Sequence, residues 1–271
     1  MSITTGILLV EASLEGALVE ASSRRTLVNV FRAMQGSFLV PFELFHERIY
    51  DINGLRNILT RCAKQNNQRR SKGEKSGQFC PKTNIKYVHI GSHGTRQTLC
   101  LPMSIDDDRR EATADDVADA FAELKAAKIR AVILSSCHTG ASGELAEKII
   151  RNSGVKAVIG YPQTAYDHIC AIAEQLLYFQ LLQRKRRRIW EAVRRVNDAL
   201  VVLGEKEDRL LACWTREDGP FAGPCPWWDK SPDVKDKASR SFLSSIRELV
   251  PQAGPISQDG IRQLRHIVKN L

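Results

Sequence analysis

Four short apolar runs separated by helix-period segments constrain this chain more than any other feature. Gly6 to Ala12, Tyr87 to Gly91, Ile129 to Leu134 and Val155 to Tyr161 are rich in β-branched and aliphatic residues, with little polar alternation. Such strands belong in a sheet covered on both faces. The segments between them carry apolar residues at helical spacing. Asp51 to Ala63 places Ile52, Leu55, Ile58, Leu59 and Cys62 on one face, and Asp51 or Asn53 is suited to cap its start. Thr113 with Asp116 forms a capping pattern ahead of Val117, Ala120, Phe121 and Leu124. Ser142 is a cap candidate for a helix through Leu145, Ile149 and Ile150 that stops at Asn152-Ser153-Gly154. Thr164 to Leu182 reads as a well-packed helix. This strand–helix alternation predicts an α/β fold with a mostly parallel central sheet between helical layers.

The remaining elements are less regular. A helix is expected from Glu20 to Met34 and a second strand from Ser37 to Phe45, with Pro41 either weakening the middle of that strand or placing it at an edge. Lys64 to Asn84 contains little to bury and reads as a surface loop. A short strand is expected at Gln97 to Leu101. Residues 1–182 form the expected core, and 183–271 a helical extension packed on the same domain, with Ile189, Val193 and Val196 on one face. Trp227-Trp228 reads as a buried wall, and Ser241 to Leu249 and Ile261 to Leu271 read as helices.

Two of the strand ends carry chemistry. YVHIGSHGT, Tyr87 to Thr95, and AVILSSCHTG, Ala131 to Gly140, each leave an apolar run for small polar residues around a reactive side chain. Parallel strands deliver such residues to one edge of the sheet. Cys137 is flanked by Ser136, Thr139 and Gly140, which leave room for a substrate backbone, and the helix expected near Ser142 favours a thiolate. Taken alone, Cys137 is equally an ordinary buried cysteine. His93, one crossover earlier in the chain, supplies the partner that a cysteine nucleophile needs. Gly94 allows close approach of a substrate carbonyl. His89 reads as a packed residue and His138 as a neighbour facing away from Cys137.

The formal charge of +9 gathers in QNNQRRSKGEK, Gln65 to Lys75, and in RKRRR, Arg184 to Arg188. These clusters suit an acidic partner or nucleic acid, but a solubilising loop and a solvated helix face explain them better, and no nucleic-acid-binding signature accompanies them. The seven cysteines are scattered, without a CxxC pair, so a zinc site or redox dithiol is not expected. No segment is long and apolar enough for a membrane span, and the start carries no leader-like pattern. A cytoplasmic enzyme without membrane contact is therefore the expectation.

With HIGSHG ending at Gly94 and SSCHTG ending at Gly140, the sequence resembles the caspase-like cysteine peptidases, which include caspases, metacaspases, separases and the bacterial CHAT-domain peptidases. VIGYP followed by a long helix resembles the CHAT branch in particular. The resemblance extends from residue 5 to about residue 182. It implies a three-layer sandwich and an endopeptidase with Cys137 as nucleophile and His93 in proton transfer, stabilised by the backbone N–H groups of Gly94 and Cys137. No cofactor or metal is implied. A protein substrate is implied, with a companion protein in bacterial defence or signalling as the narrower expectation. Activation by a partner or by trimming near Arg69-Arg70 belongs to the same picture. Metacaspase-like enzymes carry an acid two places before the cysteine, where this chain has Ser135. That hydroxyl suits a neutral side chain, and Asp167 is a candidate compensating acid or simply a helix cap. Two further readings survive: an inactive caspase-like scaffold that binds a partner, and a basic nucleic-acid-binding module.

Overall fold

The computed structural model describes residues 4–12, 42–68, 83–104, 107–139, 143–163, 167–183, 188–202 and 210–216. The sequence-predicted helix at 20–34, the residues Arg69-Arg70, Arg184 to Arg187 and Trp227-Trp228, and the helices expected after residue 240 lie outside them.

Six strands form one sheet in the order β2-β1-β3-β6-β7-β8. They are β1 (Thr4–Ala12), β2 (Phe42–Ile49), β3 (Thr83–Gly91), β6 (Ala131–Ser135), β7 (Ala157–Gly160) and β8 (Ala212–Thr215). All neighbouring pairs are parallel except β7–β8. A separate antiparallel pair joins β4 (Pro102–Ser104) to β5 (Asp107–Glu111).

Alternation along each strand sorts the core into two layers. Leu8, Val10, Val88, Ile90, Val132, Leu134 and Val158 face α1 (Ile52–Gln68), α2 (Ala114–Ala122) and α3 (Glu144–Ser153). Ile7, Leu9, Tyr87, Ala131, Ile133, Ala157 and Ile159 face α4 (Asp167–Gln183) and α5 (Ile189–Val202). Both faces are therefore dry, which is why these strands read as nearly unbroken apolar runs.

Two helix ends follow their sequence signals. The Thr113 hydroxyl accepts the Asp116 N–H at 3.2 Å, while the Asp116 carboxylate accepts the Thr113 N–H at 2.9 Å. At the end of α3, Gly154 adopts φ 67°, a left-handed turn that a side chain would strain. The start of α3 differs from the Ser142 cap expected: Gly143 occupies the cap position without a side-chain bond, and Ser142 lies outside the described residues.

Two boundaries also depart from the sequence reading. The edge strand β2 runs to Ile49 through Glu47 and Arg48, because an edge strand can turn charged residues to solvent. The run from Lys64 onward is not all loop, since α1 continues to Gln68 and buries Gln65 and Asn66. Asn66 Nδ2 donates to the carbonyls of Ile85 at 2.8 Å and Ala127 at 2.9 Å, and its Oδ1 accepts the Ile85 N–H at 3.0 Å. One amide thus ties α1 to the start of β3 and to the turn after α2. Asn197 of α5 performs the same double exchange with Leu211, at 2.8 and 2.9 Å, and fixes the entry to β8.

Replacing Asn66 by Ala strands three buried backbone groups. The expected loss is about 2–4 kcal/mol, given the cost of leaving buried donors and acceptors unmade. Urea denaturation of Asn66→Ala beside the parent protein measures it.

Candidate active site

β3 and β6 are adjacent and parallel, with Gly91 opposite Ser135 at the end of their shared register. His93 and Cys137 each lie two residues beyond that pair, so the two sequence-predicted residues leave the sheet side by side at one edge. The strands remain joined past the ladder. Ser92 N–H donates to the Ser135 carbonyl at 3.4 Å, and the buried hydroxyls of Ser92 and Ser136 bond at 2.9 Å.

Beyond Ser92 the chain folds into a tight hairpin rather than an isolated strand at Gln97. Cys100 N–H donates to the His93 carbonyl and Thr95 N–H to the Thr98 carbonyl, each at 2.9 Å, with Gly94 bridged to Leu99 between them. The Thr95 hydroxyl oxygen accepts the N–H groups of Gln97 and Thr98, which fixes the turn. Cross-strand pairing puts Leu99 and Gly94 on one face and His93 with Cys100 on the other. Leu99 is fully buried, so the His93 face points outward, and His93 is exposed.

The segment after β6 is a turn whose anchor is Thr139. Its buried hydroxyl donates to the Ser136 carbonyl at 2.9 Å. His138 takes φ 59°, and its N–H donates to the Gln163 carbonyl at 3.1 Å, joining this turn to the segment after β7. The expectation that His138 faces away by strand alternation is replaced by a left-handed turn, in which that alternation does not operate. Cys137 sits at the start of the turn, partly buried.

Hairpin and turn touch at Gly94. A Cβ there would lie 2.7 Å from Thr139 Cγ2, 2.8 Å from Ser136 Cβ and 2.9 Å from the Cys137 carbonyl oxygen. Only glycine permits this approach, and the approach holds the segments bearing His93 and Cys137 together.

Among the described residues Cys62, Cys100, Cys137, Cys170 and Cys213 are not in disulfides. Cys62 and Cys213 are buried, and burial pushes the Cys62 thiol up to about 12, which makes it inert. The Cys100 thiol is also raised, first by burial and then by Glu111 and Cys137. Among the described residues no three His, Cys, Asp or Glu side chains are grouped to hold a metal.

Beneath Ser135, on the α4 side, lies a polar layer that the sequence reading missed. Glu174 accepts the Tyr161 hydroxyl at 3.3 Å and is hydrogen-bonded by the Ser135 side chain. His89 Nδ1 bonds the Tyr178 hydroxyl at 3.0 Å, and its Nε2 stands 3.6 Å from the Glu174 carboxyl. Burial drives both titrations towards the neutral form: His89 falls to about 3, and Glu174 rises to about 7 despite the bonds from Ser135 and Tyr161. The contact is therefore not an ion pair near neutral pH. The packed role expected for His89 agrees with its burial. Ser135 itself is only partly buried at the end of β6, and Asp167 is the first residue of α4. The one legible signal for the layer was Glu174, a lone carboxylate in the apolar run ICAIAEQLLYF.

No protein-family model matches this sequence, and no curated protein is detectably similar to it. Among solved structures, the chain is similar to a secreted C11 cysteine protease from Bacteroides thetaiotaomicron in complex with an irreversible peptide inhibitor. The TM-score is 0.50 at 11% identity, covering 78% of this chain and 66% of that one. The fold is caspase-like. A second structure of the secreted C11 protease from the same organism, called iotapain, matches at TM-score 0.48 and 11% identity, covering 79% of this chain and 67% of that one. The chain thus spans about two thirds of the length of either protein. The likeness is to a C11 protease and does not single out the CHAT branch.

The expected cytoplasmic location is contradicted by this comparison, since the similar C11 protease is described as secreted. A core held by apolar burial is stable in either compartment, so scattered thiols and this fold carry no address. Among the described residues no helix is long and apolar enough to cross a membrane.

Two outcomes follow from this geometry. Gly94→Ala is expected to cost about 1–3 kcal/mol through overpacking. Gly91→Ala, where the nearest atom is the Val10 carbonyl oxygen at 3.9 Å, is the open-space comparison, and thermal melts of the two variants separate them. The second outcome concerns pH. Folding holds the Glu174 proton between its ordinary 4.5 and about 7, so that group loses stability as pH rises through this window. His89 has the opposite sign, losing stability as pH falls from 6.5 towards about 3. Glu174→Gln removes the opposing contribution, so its denaturation midpoint should fall more steeply than the parent's between pH 6.5 and 4.5.

Proposed function

We propose that this protein is a cysteine endopeptidase acting on protein substrates, with Cys137 as nucleophile and His93 as the proton-transfer residue. The observation that carries the reading is the shared departure of the two residues from β3 and β6, locked by the Gly94 contact. Likeness of fold to a cysteine protease supports it.

The chemistry runs as an acyl transfer. His93 takes the Cys137 thiol proton, and the thiolate attacks the peptide carbonyl carbon. The oxyanion that forms is stabilised by the backbone N–H groups of Gly94 and Cys137. Collapse breaks the C–N bond, and the leaving amine takes its proton from His93. Water, deprotonated by His93, then hydrolyses the thioester and restores the thiol. None of these steps requires a metal or cofactor. The narrower form of this reading has a companion protein of a bacterial defence or signalling system as the substrate, as the CHAT-like VIGYP segment suggests.

Peptides released from a proteome-derived library, identified by mass spectrometry, test the reading. Cys137→Ala and His93→Ala should each reduce release by about 10³-fold or more, the scale on which nucleophile and base losses act. Full release by Cys137→Ala overturns the assignment.

A further inference from the structure

The end of the sheet opposite the cysteine carries a row of cations that the catalytic reading leaves unused. Lys86 in β3, Arg130 before β6, Lys156 before β7 and Arg216 after β8 each stand one residue outside the ladder row Tyr87, Ala131, Ala157 and Thr215. Backbone bonds keep them in line. Arg130 N–H donates to the Lys86 carbonyl at 2.7 Å, Ala157 N–H to the Arg130 carbonyl at 3.2 Å, and Arg216 N–H to the Lys156 carbonyl at 3.0 Å. Neighbouring strands lie about 4.8 Å apart, so the row spans about 14 Å.

Alternation puts Lys86, Lys156 and Arg216 on the side of the sheet that holds Val88, Val158 and Trp214, under α2 and α3. The Arg216 guanidinium agrees: its Nη1 lies 3.8 Å from where a Gly154 Cβ would stand, and so does the Lys125 carbonyl oxygen. That approach brings the turn after α2 beside the row, and Lys125, Lys128, Lys156 and Arg216 are all exposed. Arg130 is half-buried, bonding the Tyr87 hydroxyl at 3.2 Å with its guanidinium over the ring. The carboxylates at this end of α2 are engaged elsewhere: Glu123 accepts the Thr60 hydroxyl at 3.0 Å and Asp119 the Asn152 amide at 3.2 Å. Cations at helix ends are ordinary, yet α2 has none in its last turn, and these stand on strands and turns.

We propose that this surface docks an extended acidic segment of a partner protein. A strand-like peptide with carboxylates at alternate positions presents three of them on one face over about 13 Å, close to the span of the row. Single-stranded nucleic acid fits less well, because such sites add aromatic platforms to their cations. Among the described residues the large apolar side chain that is exposed is Tyr50, which follows β2 at the other end of the sheet. The docking surface is separate from the cysteine. Strands β3 and β6 carry His93 and Cys137 beyond one end and Lys86 and Arg130 at the other, so the inference stands apart from the peptidase reading.

The test is fluorescence anisotropy of the full chain with a labelled peptide of alternating Glu and Thr. An alternating Gln and Thr peptide and an oligothymidylate of the same length serve as comparisons. The Glu peptide should bind about 10-fold tighter than the Gln peptide, or more, and weaken as salt rises. Lys156→Glu with Arg216→Glu should weaken it about 10-fold, and Lys156→Gln with Arg216→Gln by a smaller factor, the scale on which two exposed ion pairs act. Arg56→Glu with Arg96→Glu makes the same change of net charge towards the opposite end of the sheet, on α1 and on the hairpin after β3. It should shift binding by less than about threefold. Cys137→Ala should leave binding unchanged. Equal binding of the Glu and Gln peptides, or equal weakening by the two charge-reversal pairs, overturns the proposal. Tighter binding of oligothymidylate than of the Glu peptide overturns it in favour of nucleic acid. Loss of binding in Cys137→Ala also overturns it, since the peptide would then occupy the cysteine cleft.

Discussion

The parallel pairing of β3 with β6 is the constraint on which the rest depends. It buries Val88, Ile90, Val132 and Leu134 on one face and Tyr87, Ala131 and Ile133 on the other. Because side chains alternate strictly along a strand, a slip of one residue would exchange those sets and carry His89 into the wrong layer. The same register sets where both chains leave the sheet. The position of Cys137 relative to His93 is thus a by-product of core packing, and the Ser92–Ser136 and Gly94 contacts extend that order past the ladder.

How much of this was legible follows from what stabilises each part. Strands β1, β3, β6 and β7 announce themselves because both of their faces are dry. The Thr113 capping pattern and the Gly154 stop are local chemistry, and each appears where its residues stand. The continuation of α1 was not legible, since Asn66 is buried by three hydrogen bonds to distant backbone rather than by hydrophobicity. Strand β8 was equally silent. Its four residues, ACWT, carry no period, and its entry depends on Asn197 meeting Leu211 across a gap in sequence.

The candidate site divides along the same line. Its rim was visible because small polar residues interrupt apolar runs at Ser92 and Ser135. Its floor was not, because Ser135, His89, Tyr161 and Glu174 come from four separate elements that only the assembled sheet brings together. The left-handed turn at His138 is a further case: it depends on Thr139 and on Gln163, and no residue type in SSCHTG demands it.

Strand β8 also has a mechanical consequence. Its Trp214 indole presses against Gly143, where an added Cβ would stand 2.8 Å from Nε1, and Gly143 begins the helix that follows the cysteine turn. The bulkiest buried ring in the described core is thus a buttress behind the thiol-bearing loop, delivered from late in the chain. Shortening the polypeptide ahead of residue 212 would pull out that wedge along with an edge of the sheet, so a fragment ending after α4 would be a loosened one.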